Sequence, residues 1–247
     1  MAADRSSARP LWPALARTDA PEWLDQGHGA PADVAANLAE MWRLNRCLGG
    51  LSALTRQLYP RLLAHSGPAT LLDLGTGSAD VPLRLAQWAA QQHRPLTITA
   101  VDWAARNLAV AHARLQAAPA LHLLQADAAH LPLPPRSVDY VITTLFLHHF
   151  APAAAVALLR AAFTVTRRAL LVSDLVRGRL PLLAFRLVQP LLARHRLTRH
   201  DGEVSIRRAY TPAELLALAQ AAGLPQPRVY AHWPWRMTLV IDRPADA

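Results

Sequence analysis

Leu71-Leu72-Asp73-Leu74-Gly75-Thr76-Gly77-Ser78-Ala79-Asp80 decides how this chain folds, through what lies on either side of it. It continues an apolar run from Ala69 that reads as a buried strand. It leads into Val81–Ala90, where Val81, Leu83, Leu85, Ala86 and Ala89 read as a helix. A strand, a glycine turn and a helix start bring bare backbone N–H groups against a ligand, because glycine permits positive φ and close approach. Two further acids repeat the placement. Asp102 closes the strand-like run Leu96–Val101, and Asp127 follows Leu121–Leu124. Three acids at three successive strand ends are the pattern of a nucleotide site at the carboxyl edge of a doubly wound sheet.

A dinucleotide fold is the obvious competitor. Its fingerprint needs a third glycine where this chain has Asp80. Asp73 would also oppose a pyrophosphate, whereas it suits a ligand with a cationic head. S-adenosylmethionine is therefore favoured over NAD.

These residues make the chain resemble the class I S-adenosylmethionine-dependent methyltransferases. Residues 71–80 resemble their first motif, in which Asp73, Gly75, Thr76 and Gly77 would hold the amino-acid part of the cofactor. Val101-Asp102 resembles the acid that takes both ribose hydroxyls, with Trp103 against adenine. Gln125-Ala126-Asp127-Ala128 resembles the segment whose carboxylate receives the adenine amino group, and Asp139–Thr144 the fourth strand, with Thr143 near the sulfonium. The resemblance implies a Rossmann-like α/β fold with a seven-stranded sheet. Ala79 departs from the motif, since many relatives carry glycine there. Arg43–Gly50, Leu197–Asp201 and Val204–Thr211 further resemble the small-molecule methyltransferases found beside bacterial type III polyketide synthases, implying secondary metabolism.

At 247 residues the chain is long enough for one α/β domain with an appended element. Cys47 is the only cysteine, which excludes an intrachain disulfide or a cysteine-rich zinc site, and no metal is expected. A reducing cytoplasm fits. No signal peptide and no membrane-spanning run is readable. The net charge of +9 raises the question of nucleic acid, but every basic residue is arginine, the signature of a GC-rich genome, and the arginines are scattered.

Residues 1 to about 30 read as an irregular arm anchored by Trp12 and Trp23 and disordered to about Arg9. A helix starting at Pro31 and another over 51–65 complete an N-terminal helical lid, residues 1–66. The methyltransferase domain is expected over 67–247, with helices near 79–92, 104–117 and 152–164. Strands are expected near 69–73, 97–101, 121–125, 138–144 and 168–173. Leu180–Leu197 reads as an amphipathic helix or helix pair, part of a cap inserted over 176–209 after the fifth strand. Thr211-Pro212-Ala213-Glu214 carries a helix-capping pattern that runs on to Gly223, and two strands near 227–231 and 236–241 close the chain.

Methyl transfer from a sulfonium needs alignment above all. A phenolic acceptor also has to lose a proton, for which histidine is the natural base. His149, His148 and His200 are the candidates, with His195 nearby. The expected activity is methylation of a small phenolic or quinol-type acceptor, at oxygen rather than carbon, without nucleic-acid or integral-membrane partners. An RNA methyltransferase and a non-catalytic cofactor-binding partner are the alternatives.

Overall fold

The computed structural model describes residues 15–244 apart from 114 and 116–119. Trp12 and the stretch to Arg9 lie outside the described residues, as does part of the helix expected to end at 117.

Two N-terminal helices, α1 (Pro31–Cys47) and α2 (Gly50–Ala64), precede β1 (Ala69–Leu74). The chain then alternates: α3 (Asp80–Gln91), β2 (Leu96–Asp102), α4 (Ala105–His112), β3 (Leu121–Gln125) and β4 (Val138–Thr144). A 3₁₀ turn (Leu147–His149) leads to α5 (Pro152–Val165) and β5 (Thr166–Leu175). The insertion holds two helices, α6 (Arg179–Leu192) and α7 (Arg196–Arg208), and α8 (Pro212–Ala221), β6 (Arg228–His232) and β7 (Arg236–Asp242) finish the fold. The polar stretch from Arg196 is helical as well, so the insertion is a helix pair.

The seven strands run in the order β3-β2-β1-β4-β5-β7-β6. All neighbours from β3 to β5 pair in parallel, and β7 enters antiparallel to β5 and β6. The order reverses between β1 and β4, the place where an open α/β sheet leaves a crevice at its carboxyl edge. Register carries two of the acids there, with Asp73 beside Ala100 and Asp102 beside Gln125, and Asp127 follows two residues after the end of β3.

The sheet separates two apolar layers. On one face α5 and α8 cover Leu72, Leu74, Val141 and Val172; on the other α2 and α3 cover Leu71, Ile98, Ile142 and Leu171. Helix α2 belongs to this core, because Leu54, Leu58 and Leu62 recur every four residues and are all buried. Each such leucine contributes about 1.5–3 kcal/mol. Thr211 caps α8 as its sequence indicates, accepting from the Glu214 amide at 3.3 Å while the Glu214 carboxylate accepts from the Thr211 amide at 2.8 Å.

Candidate active site

The glycine turn folds back onto β2 rather than presenting a bare row of amides. The N–H groups of Gly75 and Thr76 both donate to the Val101 carbonyl at 2.9 Å, and the Gly77 N–H donates to Asp102 Oδ2 at 2.7 Å. This corrects the expectation of a free N–H cradle and removes the phosphate-holding groups that a dinucleotide would need. Ala79 has φ +55°, the left-handed region that glycine enters freely, so its methyl adds about 1–2 kcal/mol of strain.

Carboxylates take over. Asp73 is buried and, among the described residues, its Oδ1 has no hydrogen-bond partner. Burial, assisted by the nearby Asp102 charge and opposed by the Thr76 hydroxyl, raises its pKa to about 7. A buried acceptor of this kind is matched by a cationic ammonium donor, the fit required by the amino-acid end of S-adenosylmethionine. Asp102 also accepts from the Ala104 amide at 2.9 Å and Asn107 Nδ2 at 3.3 Å, which fixes its carboxylate at the end of β2. Burial nevertheless raises its pKa, outweighing those amides.

Gly75, Asp102 and Phe146 border two spaces. One, of about 590 Å³, lies against Trp103, Ala126, Asp127, Ala128 and Phe150. The other, a cleft of about 870 Å³, runs over Asp73 and Thr76–Asp80 to Leu38, Met41, Thr144, His149, Glu22 and Asp201. Phe146 partitions them, its ring so close over Gly75 that a β-carbon there would lie 2.2 Å from it. Trp103 is exposed at the rim, and Asp127 is held by the Ala129 amide and His130 Nδ1 at 2.9 and 2.8 Å. Thr143 is buried within β4, and the next residue, Thr144, is the one that lines the cleft.

The histidine candidates separate sharply. His148 is 1% exposed, with Nδ1 2.7 Å from Asp174 Oδ1 and Nε2 3.4 Å from Glu22 Oε1. Burial works against its cation, but attraction to Asp174 and Glu22 outweighs that and raises its pKa to about 10. His148 therefore carries its proton at neutral pH and is not an acceptor for another, which corrects its place among the base candidates. His149 stacks on it and lines the cleft, with Nδ1 2.8 Å from Asp25 Oδ2. His200 is turned to Asp201 at 2.8 Å and stacks on Trp23 at 3.8 Å. His195 caps α7 and reaches Asp33 at 3.0 Å. Neither lines the cleft.

Sequence reasoning missed the N-terminal acids. Glu22 is buried, accepts from Ser205 Oγ at 2.6 Å, and has a pKa brought down to about 2: burial raises it, but His149, His148 and Ser205 outweigh the burial. Asp201 accepts from the Trp23 and Leu24 amides at 2.8 and 3.1 Å, and Arg17 donates to the His148 and Phe150 carbonyls. The arm read as irregular is a strap across the histidine turn. Glu22, His148 and His149 bring ligand atoms within 4.8 Å of one another, although the proton held on His148 competes with any cation there.

A third cavity, of about 810 Å³ and predominantly apolar, abuts the cleft and shares Met41, Asn45 and Leu145 with it. Its other walls come from α6, α7 and the start of β7, including Phe185, Val188, Ile206 and Trp235.

Residues 71–169 match the family described as a methyltransferase domain. No curated protein matches the sequence. Among solved structures the fold is similar to a SAM-dependent methyltransferase from Aquifex aeolicus, at 14% identity over 87% of this chain and 99% of that one, with a TM-score of 0.61. It is similar to a putative O-methyltransferase from Nostoc punctiforme, at 22% identity and a TM-score of 0.54, over 81% of this chain but only 59% of that one. It is also similar to magnesium protoporphyrin IX methyltransferase from Synechocystis with bound SAH, at 14% identity over 81% and 84% of the two chains, with a TM-score of 0.54. Family match and fold agree: residues 71–169 carry a methyltransferase domain, within a chain that has the fold of the class I S-adenosylmethionine-dependent methyltransferases.

Proposed function

We propose that the protein methylates an oxygen of a small aromatic acceptor, a phenol or quinol, held in the cavity beside the glycine turn. The observation that carries this reading is the apolar cavity joined to the cofactor cleft through Met41, Asn45 and Leu145. The segments that resemble the polyketide-associated methyltransferases furnish Leu44, Asn45, Leu48, Ser205 and Ile206 of its wall, which supports a polyketide-like ring. Helix α1 with residues 15–29 acts as the lid, and α6 with α7 as the cap. An RNA acceptor is disfavoured by the depth and apolarity of this space.

In this reading Asp73 receives the ammonium group, Asp102 the ribose hydroxyls, Trp103 and Ala128 flank adenine, and Asp127 receives its amino group. S-adenosylmethionine, when bound, supplies an electrophilic methyl carbon attached to a sulfonium. Met41 and Leu145 exclude water from the line of attack. The proton that the acceptor oxygen loses on methylation would pass to His149. Asp25 on Nδ1 orients the ring and stabilises the imidazolium. The cation on His148, paired to Glu22 and Asp174, holds the turn that positions His149.

Transfer from labelled cofactor to a panel of phenols, quinols and total RNA tests the acceptor, and the RNA alone becoming labelled would overturn the reading. For the base, His149→Asn lowers kcat by about 10²–10⁴ with cofactor affinity kept. A pH–rate profile that tracks only the acceptor's ionisation, unchanged in His149→Asn, would leave alignment as the whole mechanism.

A further inference from the structure

Arg236 is a buried cation without an anion of its own. It opens β7 with 4% of its surface exposed, and its Nε donates to the Leu48 carbonyl at 3.1 Å. Among the described residues its Nη1 has no hydrogen-bond partner and it forms no ion pair. The carboxylate nearest in sequence register, Asp174, faces Met237 across the β5–β7 ladder and is already engaged by His148. Burial lowers the Arg236 pKa to about 10 against the opposing attraction of Asp174, a measure of how poorly the guanidinium is solvated. Guanidinium groups inside proteins are ordinarily paired, because a buried charge with unsatisfied donors costs several kcal/mol.

Arg236 lines the apolar cavity and not the cofactor cleft. A second orphan belongs to a residue of the same wall: Asn45 Oδ1, packed against Gly50, is buried without a hydrogen-bond partner among the described residues. The surroundings are Leu44, Leu48, Phe185 and Trp235, so an anion reaching Arg236 would meet it in a medium of low dielectric. We propose that Arg236 forms an anion subsite at the far end of the acceptor cavity, and that the acceptor is an aromatic ring bearing a carboxylate, whose charge docks there while its hydroxyl faces the cofactor cleft. The inference rests on the reading of this cavity as the acceptor pocket. The guanidinium fork offers two parallel N–H donors to a carboxylate. Arg236 is then the residue that sets specificity at the end of the molecule remote from the methyl group.

The test measures equilibrium binding of 6-hydroxy-2-naphthoate, whose hydroxyl and carboxylate lie at opposite ends of the ring system, and of the uncharged 6-hydroxy-2-naphthamide, with S-adenosylhomocysteine present, to wild type, Arg236→Lys and Arg236→Met. Charge-assisted hydrogen bonds correspond to about a 10–100-fold preference for the carboxylate in wild type. The preference falls to near unity in Arg236→Met and is partly kept in Arg236→Lys, while S-adenosylhomocysteine binds all three alike. The wild-type comparison needs no variant and stands even where Arg236→Met fails to fold. Equal binding of the two naphthalenes to wild type overturns the anion subsite and leaves the cavity as acceptor pocket. Failure of both to bind overturns the acceptor-pocket reading and the subsite with it.

Discussion

Replacing Glu22 by glutamine removes one charge from the buried histidine cluster while preserving most of its shape. The amide carbonyl still accepts from Ser205 Oγ, now 2.6 Å from Glu22 Oε1, so the change isolates the ionic part of the contact. The Glu22 pKa lies at about 2 against an ordinary 4.5, and the side chain is almost fully buried. By linkage that drop corresponds to roughly 3 kcal/mol of folding stability at neutral pH, in line with the 3–5 kcal/mol typical of removing one partner of a buried pair. The signs define a window. A depressed carboxyl stabilises above its unfolded value, so the Glu22 contribution is lost as pH falls from about 4.5 towards 2. The raised His148 cation stabilises below its ordinary 6.5, and its contribution fades as pH climbs towards about 10. The difference between wild type and Glu22→Gln is therefore greatest between about pH 5 and 7. Urea denaturation at pH 6.5, followed by fluorescence and far-ultraviolet circular dichroism, reads it as a midpoint about 1 M lower for the variant. A loss below about 0.5 kcal/mol would refute the assignment of His148 as a buried cation stabilised by Glu22.

Asp73 yields a second pH effect of opposite use. Its raised pKa means that the neutral carboxyl favours the folded apoprotein, a contribution present below about pH 4 and lost as pH rises through about 7. Because an ammonium partner needs the carboxylate, calorimetry should show S-adenosylhomocysteine binding tighten between pH 6 and 8, and Asp73→Asn should bind weakly with that slope abolished. Asp102→Ala should weaken the same ligand by about 10–100-fold, since it also releases the Gly77 and Ala104 amides, whereas the exposed Asp127→Ala should cost less; equal binding in both variants would mean that the strand-end acids are misassigned. Gly202→Ala places a methyl 2.3 Å from the Phe185 ring between α7 and α6, so it should cost about 1–3 kcal/mol in thermal unfolding and weaken acceptor binding, with cofactor affinity unchanged.

The cofactor edge was legible because each acid follows an apolar run whose length sets its register. Asp73 and Asp102 needed only β1 and β2 to be strands, and the alternation of strand and helix left one sheet order that brings them together. Even there, local reading aimed the glycine-turn amides at a ligand, because Val101, which receives two of them, belongs to another strand. The histidine cluster was half visible. Leu147-His148-His149 follows β4 and was placed correctly, but which histidine keeps its proton depends on Asp174 and Glu22, and no spacing rule links those positions. Glu22 and Asp25 sit in a stretch rich in proline, glycine and charge, where an acid usually faces water. Arg236 escaped for the complementary reason: an arginine at a strand start is ordinarily solvated, and only the closure of α1 and α6 over it makes it buried.

The strap also sets an order of events during synthesis. Glu22 meets Ser205 across 183 positions of the chain, and Arg17 meets the Arg208 carbonyl across 191. A nascent chain that has released β1 to β4 already holds every cofactor acid, yet its Glu22 carboxylate has neither Ser205 nor the Asp174-bound His148 to receive it. The turn carrying His149 is tied down only when α7 has left the ribosome. Fragments arrested before that point would lack the contacts that hold the histidine turn, so under the proposed reading a fixed His149 waits for α7.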